Sequence, residues 1–111
     1  MTSETGRQIR QGMANVEVLN LTDGLALKVF SHKGLSVVIM LRDEHCPPHA
    51  HVDAGAWSAR FKFSFWHNGV ELWDVIPLSR RPPTGVLEGL RQSLRQPEHL
   101  RRARDLWWRR L

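Results

Sequence analysis

The sequence predicts an α+β fold, in which an antiparallel sheet of five to six strands has two C-terminal helices packed on one face. Short apolar runs separated by turn residues fill the first two thirds of the chain, which is typical of strands. From Pro82 onward the apolar residues recur at helical spacing instead. A chain of 111 residues is long enough for one hydrophobic core and too short for two domains.

Residues 1–14 are polar and unpatterned, which predicts a flexible N-terminal tail ahead of a single domain over residues 15–111. The segment Trp57–Phe65 is the clearest strand, because its odd-numbered residues are apolar or small and its even-numbered residues are polar. Asn68-Gly69 predicts a tight hairpin turn after it. The predicted strands are Val16–Leu21, Leu25–Phe30, Leu35–Leu41, His49–Asp53, Trp57–Phe65 and Val70–Ile76.

Two helices are predicted after the strands. Pro82-Pro83 precedes the first, and Gln96-Pro97 separates it from the second, because proline suits a first helical turn but not a helix interior. Their apolar stripes should bury on the odd-numbered face of Trp57–Phe65, the largest apolar surface that the strands offer. The stripes are Val86, Leu87, Leu90 and Leu94, followed by Leu100, Ala103, Leu106, Trp107 and Leu111.

The composition favours a cytoplasmic globular protein. No apolar run approaches the roughly 20 residues of a membrane-spanning helix, so no membrane partner is expected. Residues 1–7 lack the apolar centre of a signal peptide. A single cysteine, Cys46, excludes an internal disulfide bond.

The net charge of +5 is concentrated near the C-terminus. Residues 1–78 carry seven basic and eight acidic side chains, whereas residues 79–111 carry nine arginines and three acids. Because arginine is suited to bidentate contacts with phosphate or carboxylate, this region predicts a surface for nucleic acid or for an acidic partner protein. The alternative is a solvated helix face without a partner.

Adjacent tryptophans add to this surface. Trp107 and Trp108 point about 100° apart on a helix, so one of them should be exposed, and exposed aromatic groups beside arginine are typical of interfaces and nucleic-acid platforms. We expect Arg109 and Arg110 to have no acidic partner in helical register. The predicted binding surface consists of Arg101, Arg102, Arg104, Arg109, Arg110 and Trp108.

Three of the six histidines fall within seven residues, around Pro47-Pro48. On a strand, His49 and His51 would point to the same side. With His45 on the preceding loop, the three could ligate a divalent metal such as zinc and leave one position open. In the structural alternative, the prolines form an extended corner and a strand histidine is hydrogen-bonded to the backbone there. Cys46 is either an inert small residue or a thiolate nucleophile.

This segment resembles the small prokaryotic domain of unknown function 4160 family. The hallmark of that family is a histidine, a variable residue, two prolines and H-x-H, which corresponds here to His45-Cys46-Pro47-Pro48-His49-Ala50-His51. Cys46 stands where asparagine is usual, and residues 1–30 extend beyond the usual start. The resemblance covers residues 37–108. It implies an α+β fold and membership of a two-gene, toxin–antitoxin-like unit, without an assigned activity.

Two classes of function are therefore predicted. The first is a non-enzymatic binding module that engages a partner protein or nucleic acid through its arginine-rich C-terminal helices. The second is a metal-dependent hydrolase or nuclease with His45, His49 and His51 as ligands. The sequence offers this second class no identifiable protein nucleophile.

Overall fold

The computed structural model describes residues 7–9, 16–21, 24–42 and 46–110. They form a seven-stranded antiparallel sheet, with the strands hydrogen-bonded in sequence order, and two C-terminal helices, so the predicted α+β class is confirmed. All six predicted strands are present, and a seventh lies within the predicted tail. The strands are β1 (Arg7–Ile9), β2 (Val16–Leu21), β3 (Gly24–His32), β4 (Leu35–Met40), β5 (His49–Asp53), β6 (Ser58–Lys62) and β7 (Glu71–Ile76).

The extra strand β1 pairs with β2, Arg7 lying opposite Val18 and Ile9 opposite Val16. The prediction of a tail is therefore wrong for these three residues. Three residues are too few to show a strand pattern in the sequence, and β1 is held in the sheet by its backbone hydrogen bonds to β2. The other residues of the segment 1–14 lie outside the described residues.

Both helices begin at the prolines that predicted them. Helix α1 (Thr84–Leu94) follows Pro83, and helix α2 (Pro97–Arg109) has Pro97 in its first turn, where the missing N–H would have no helical acceptor. A short 3-10 helix, Leu78–Arg80, links β7 to α1. Neither α1 nor α2 is long and apolar enough to cross a membrane, and the same holds for every helix among the described residues.

The helices pack on the face of the sheet that the alternation in Trp57–Phe65 predicted. Ala59, Phe61 and Phe63 are at most 3% exposed and belong to one core cluster with the helix residues. Phe65 is 40% exposed, because the strand and its alternation end at Lys62. Val86 is also exposed, and Leu111 lies outside the described residues. The buried helix residues are Leu87, Leu90, Leu94, Leu100, Ala103, Leu106 and Trp107.

The connection between β6 and β7 is a loop over residues 63–70, so the predicted tight turn at Asn68-Gly69 is wrong. Lys62 pairs with Glu71, which leaves eight residues between the strands. Phe63 continues into the core beyond the strand, and its N–H donates to the carbonyl of Pro48 at 3.0 Å. Burial of this aromatic ring outweighs the local preference of Asn-Gly for a two-residue turn.

The opposite face of the sheet carries a smaller apolar cluster. Leu19, Ala26 and Val38 are its buried members, and Leu21 and Met40 pack against them. No helix residue belongs to this cluster in the described part of the chain. We refer to this side of the sheet as the open face.

We predict that Phe61→Ala lowers the free energy of unfolding by about 3–5 kcal/mol, the usual cost of deleting a fully buried phenyl ring. Lys62→Ala, the neighbouring residue on the open face, is the matched control and should change it by less than about 1 kcal/mol. Urea denaturation followed by circular dichroism measures both. Equal, small effects at the two positions would contradict the assigned faces of β6.

Candidate functional site

His49 is the one buried polar residue of the described core, at 0% exposure. Its Nδ1–H donates to the carbonyl of Pro47 at 2.8 Å; a carbonyl only accepts, so Nδ1 carries a proton. The ring centroids of His51 and Trp73 lie 5.0 Å away and that of Trp107 lies 5.3 Å away. This is the backbone hydrogen bond that we expect at Pro47-Pro48 if the histidine stabilises the fold instead of ligating a metal.

His51 lies on the open face in a row of cross-strand neighbours. It pairs with Val38 on one side and with Arg60 on the other, and Arg60 pairs in turn with Asp74. The guanidinium of Arg60 makes a bidentate contact with the Asp74 carboxylate, with Nε donating to Oδ1 at 2.9 Å. Arg60 also lies over the ring of Trp73, 4.2 Å from its centroid.

The pKa of Asp74 is lowered from its ordinary value of 3.8. The main cause is the hydrogen bond from Arg60, and the charges of Arg60, His51 and His49 act in the same direction against partial desolvation. The histidine pair thus belongs to one electrostatic cluster with Arg60 and Asp74.

Two of the three candidate metal ligands, His49 and His51, are close to each other. Because Nδ1 of His49 is used by Pro47, this ring could ligate a metal only through Nε2, with the carbonyl orienting it as outer partners of ligating histidines do. Within the described ranges, no group of three or more His, Cys, Asp or Glu side chains could hold a metal ion. His45 lies outside those ranges, so the three-histidine zinc site stays a prediction. Cys46 is exposed.

Arg104, one of the predicted surface arginines, is used within the fold. Its guanidinium donates to the carbonyls of Ser64 at 2.8 Å and His67 at 2.7 Å, and to Oδ1 of Asn68 at 3.1 Å. These bonds tie the 63–70 loop to α2. They satisfy backbone carbonyls that a loop would otherwise leave to water, and the expectation that Arg104 also contacts a partner stays a prediction.

Two further arginines of the predicted surface contact other side chains of the fold, and the expectation that Arg109 has no acidic partner is wrong. Arg109 has an acidic partner, because its Nε donates to Oδ1 of Asp105, four residues earlier, at 2.8 Å. Arg110 stacks on the ring of the buried Trp107, 3.9 Å from its centroid. Arg101 is exposed and Arg102 is half-buried. The basic surface is thus smaller than the sequence indicates.

One tryptophan of the adjacent pair is exposed, as predicted. Trp107 is 6% exposed and Trp108 is 75% exposed. Arg104 lies on α2 one turn before Trp108 and one turn after Arg101, so the three share a helix face.

A second exposed tryptophan was missed by the sequence analysis. Trp66 is 92% exposed and belongs to the loop that Arg104 holds on α2, next to Phe65 at 40%. Trp66 follows Ser64 at an even-numbered position, on the polar side of the alternation, and this position could have indicated that its side chain is exposed. We call Phe65, Trp66, Arg101 and Trp108 the aromatic–arginine surface.

Comparisons with known proteins assign the chain to no group. No family model matches it, and neither the curated proteins nor the solved structures give a match. The resemblance to the domain of unknown function 4160 family stays a prediction that rests on the sequence.

We predict that Asp74→Asn lowers the free energy of unfolding by about 1–2 kcal/mol at pH 7, because Arg60 loses its ionised partner. The pKa of Asp74 is lower in the folded than in the unfolded state. Its contribution to the free energy of unfolding is therefore fully present above pH about 4 and is lost as the pH falls through the lowered folded pKa. The difference between wild type and variant should therefore narrow below pH about 4.

Glu71→Gln is the control, since Glu71 is 72% exposed and 3.5 Å from Lys62. Denaturation across this pH range should show a smaller effect there. A wild-type advantage over Asp74→Asn that stays constant down to pH 2 would contradict the assigned cause.

Proposed function

We propose that the protein is a non-enzymatic binding module that engages single-stranded nucleic acid through its aromatic–arginine surface. The observation that carries the proposal is the exposure of two tryptophans, 92% at Trp66 and 75% at Trp108, on two segments joined by Arg104. Large apolar side chains this exposed on a small domain are typical of interaction sites.

The chemistry of this surface favours nucleic acid over a protein. Exposed aromatic rings stack on bases at about 1–3 kcal/mol per base, and nearby arginines contact the phosphates. Arg101 is exposed on the helix face of Trp108, and residues 79–111 carry nine arginines against three acids. An acidic partner protein is the other outcome that the test below distinguishes.

The motif supports a more specific setting for this module. The resemblance of His45–His51 to the domain of unknown function 4160 family favours a cytoplasmic protein of a two-gene, toxin–antitoxin-like unit. In such a unit the aromatic–arginine surface would bind the nucleic acid, and His49, through its bond to the Pro47 carbonyl, would stabilise the sheet.

We predict that a fluorescein-labelled oligothymidine binds the wild type in low salt, with an affinity that falls steeply as salt rises through counterion release. Trp66→Ser and Trp108→Ser should each weaken binding about tenfold, because each removes a stacking platform. Fluorescence anisotropy measures both effects.

Ile76→Ser is the matched control, since Ile76 is 57% exposed and lies on β7. It should leave the affinity unchanged. If the wild type fails to bind oligothymidine or single-stranded RNA in low salt, where electrostatic attraction is strongest, the nucleic-acid proposal is rejected and a protein partner takes its place.

A metal-dependent hydrolase or nuclease is the second candidate, favoured by the 5.0 Å separation of the His49 and His51 rings and by the fixed proton of His49. A bound zinc ion would supply a hydroxide nucleophile at neutral pH. His49 and His51 would hold it, with His45 as the predicted third ligand.

We predict for this candidate that protein purified without a histidine tag retains zinc after dialysis, and that zinc affinity falls as the pH is lowered, because a protonated imidazole cannot ligate. His49→Ala and His51→Ala should abolish retention and His45→Ala should weaken it. His67→Ala, an exposed loop histidine, is the control. Equal zinc in the wild type and His51→Ala would reject the metal site.

A further inference from the structure

A groove of about 390 Å³ lies on the open face of the sheet. This size falls within the range of about 300–1,000 Å³ that is usual for small-molecule sites. One side of the groove is apolar and is formed by Leu19, Leu21, Val38 and Met40. The buried Leu19 and Val38, at 8% and 2% exposure, give it a fixed floor.

The other side of the groove is polar. Ser36 and Ser58 contribute hydroxyl groups, and His51 contributes its ring. Asp53 lies beside them, with one carboxylate oxygen accepting the N–H of Gly55 at 2.9 Å, which fixes the side chain on its own turn. An apolar floor with a few convergent polar groups is the usual construction of a ligand site.

The charged residues that line the groove all have the same sign. Glu17 and Asp53 are the charged residues among those that line it, and both are carboxylates. Lys28 lies 3.5 Å from Glu17 and offsets that charge, whereas Asp53 forms no ion pair with the Lys, Arg and His side chains that the structure describes and is exposed at the rim. A ligand with a positive charge near Asp53 would therefore be favoured over a neutral or negative one.

We propose that this groove binds a small organic amine, with its apolar body on Leu19, Val38 and Met40 and its ammonium group beside Asp53. The ammonium group can donate to the Asp53 carboxylate and to the Ser36 and Ser58 hydroxyls. This site is on the open face of the sheet, apart from the aromatic–arginine surface. Amine binding in the groove and nucleic-acid binding at that surface are therefore tested independently.

The test uses three probes of similar size and apolar body: phenylbutylamine, phenylbutanol and phenylbutyrate. Isothermal titration calorimetry of the full chain should show the amine binding about tenfold more tightly than the alcohol, with the acid weaker still. Chemical-shift changes on binding should fall on β2, β4 and β5.

Asp53→Asn is the informative variant, because asparagine keeps an oxygen that can accept from Gly55 and removes only the charge. It should lower amine affinity about tenfold and leave the alcohol unchanged. Glu71→Gln removes a carboxylate outside the groove and should change neither. The proposal is overturned if the wild type does not bind the amine or binds all three probes alike. It is also overturned if the preference for the amine over the alcohol is unchanged in Asp53→Asn.

Discussion

Two helices cover one face of a seven-stranded sheet, and this coverage determines how the rest of the structure is stabilised. Helices α1 and α2 have only 11 and 13 residues, and their buried stripes lie against a single core cluster. No helix of the described residues covers the open face, so this side of the sheet must be stabilised in another way. It achieves this through cross-strand charge pairs, Arg60 with Asp74 and Lys28 with Glu17, beside a small apolar cluster.

The same coverage explains how Trp66 comes to be exposed. Phe63 follows the core beyond β6, so the chain crosses the end of the sheet in a loop rather than a tight turn. The carbonyls of that loop need donors, and Arg104 supplies them from α2. Trp66 is left at 92% exposure on a loop whose backbone is held in place. A rigid support of this kind reduces the entropy that binding would cost.

Apolar patterning, turn residues and proline positions were sufficient to predict the strands β2 to β7 and both helices, because these signals are local. The sequence could not reveal β1, whose three residues carry no pattern, or the role of Arg104, whose partners lie 36 to 40 residues away along the chain. The H-x-H pair was predicted to share one side, and the rings are 5.0 Å apart. Whether an arginine binds a partner or its own fold depends on tertiary contacts that spacing does not encode.

Ultraviolet crosslinking of the wild type to oligothymidine, with the crosslinked residues located by mass spectrometry, shows directly whether nucleic acid binds at the proposed aromatic–arginine surface. The five tryptophans provide internal controls, because Trp57 and Trp73 are half-buried and Trp107 is 6% exposed. We predict crosslinks at Trp66 and Trp108. Crosslinks confined to Trp57 or Trp73 would contradict it.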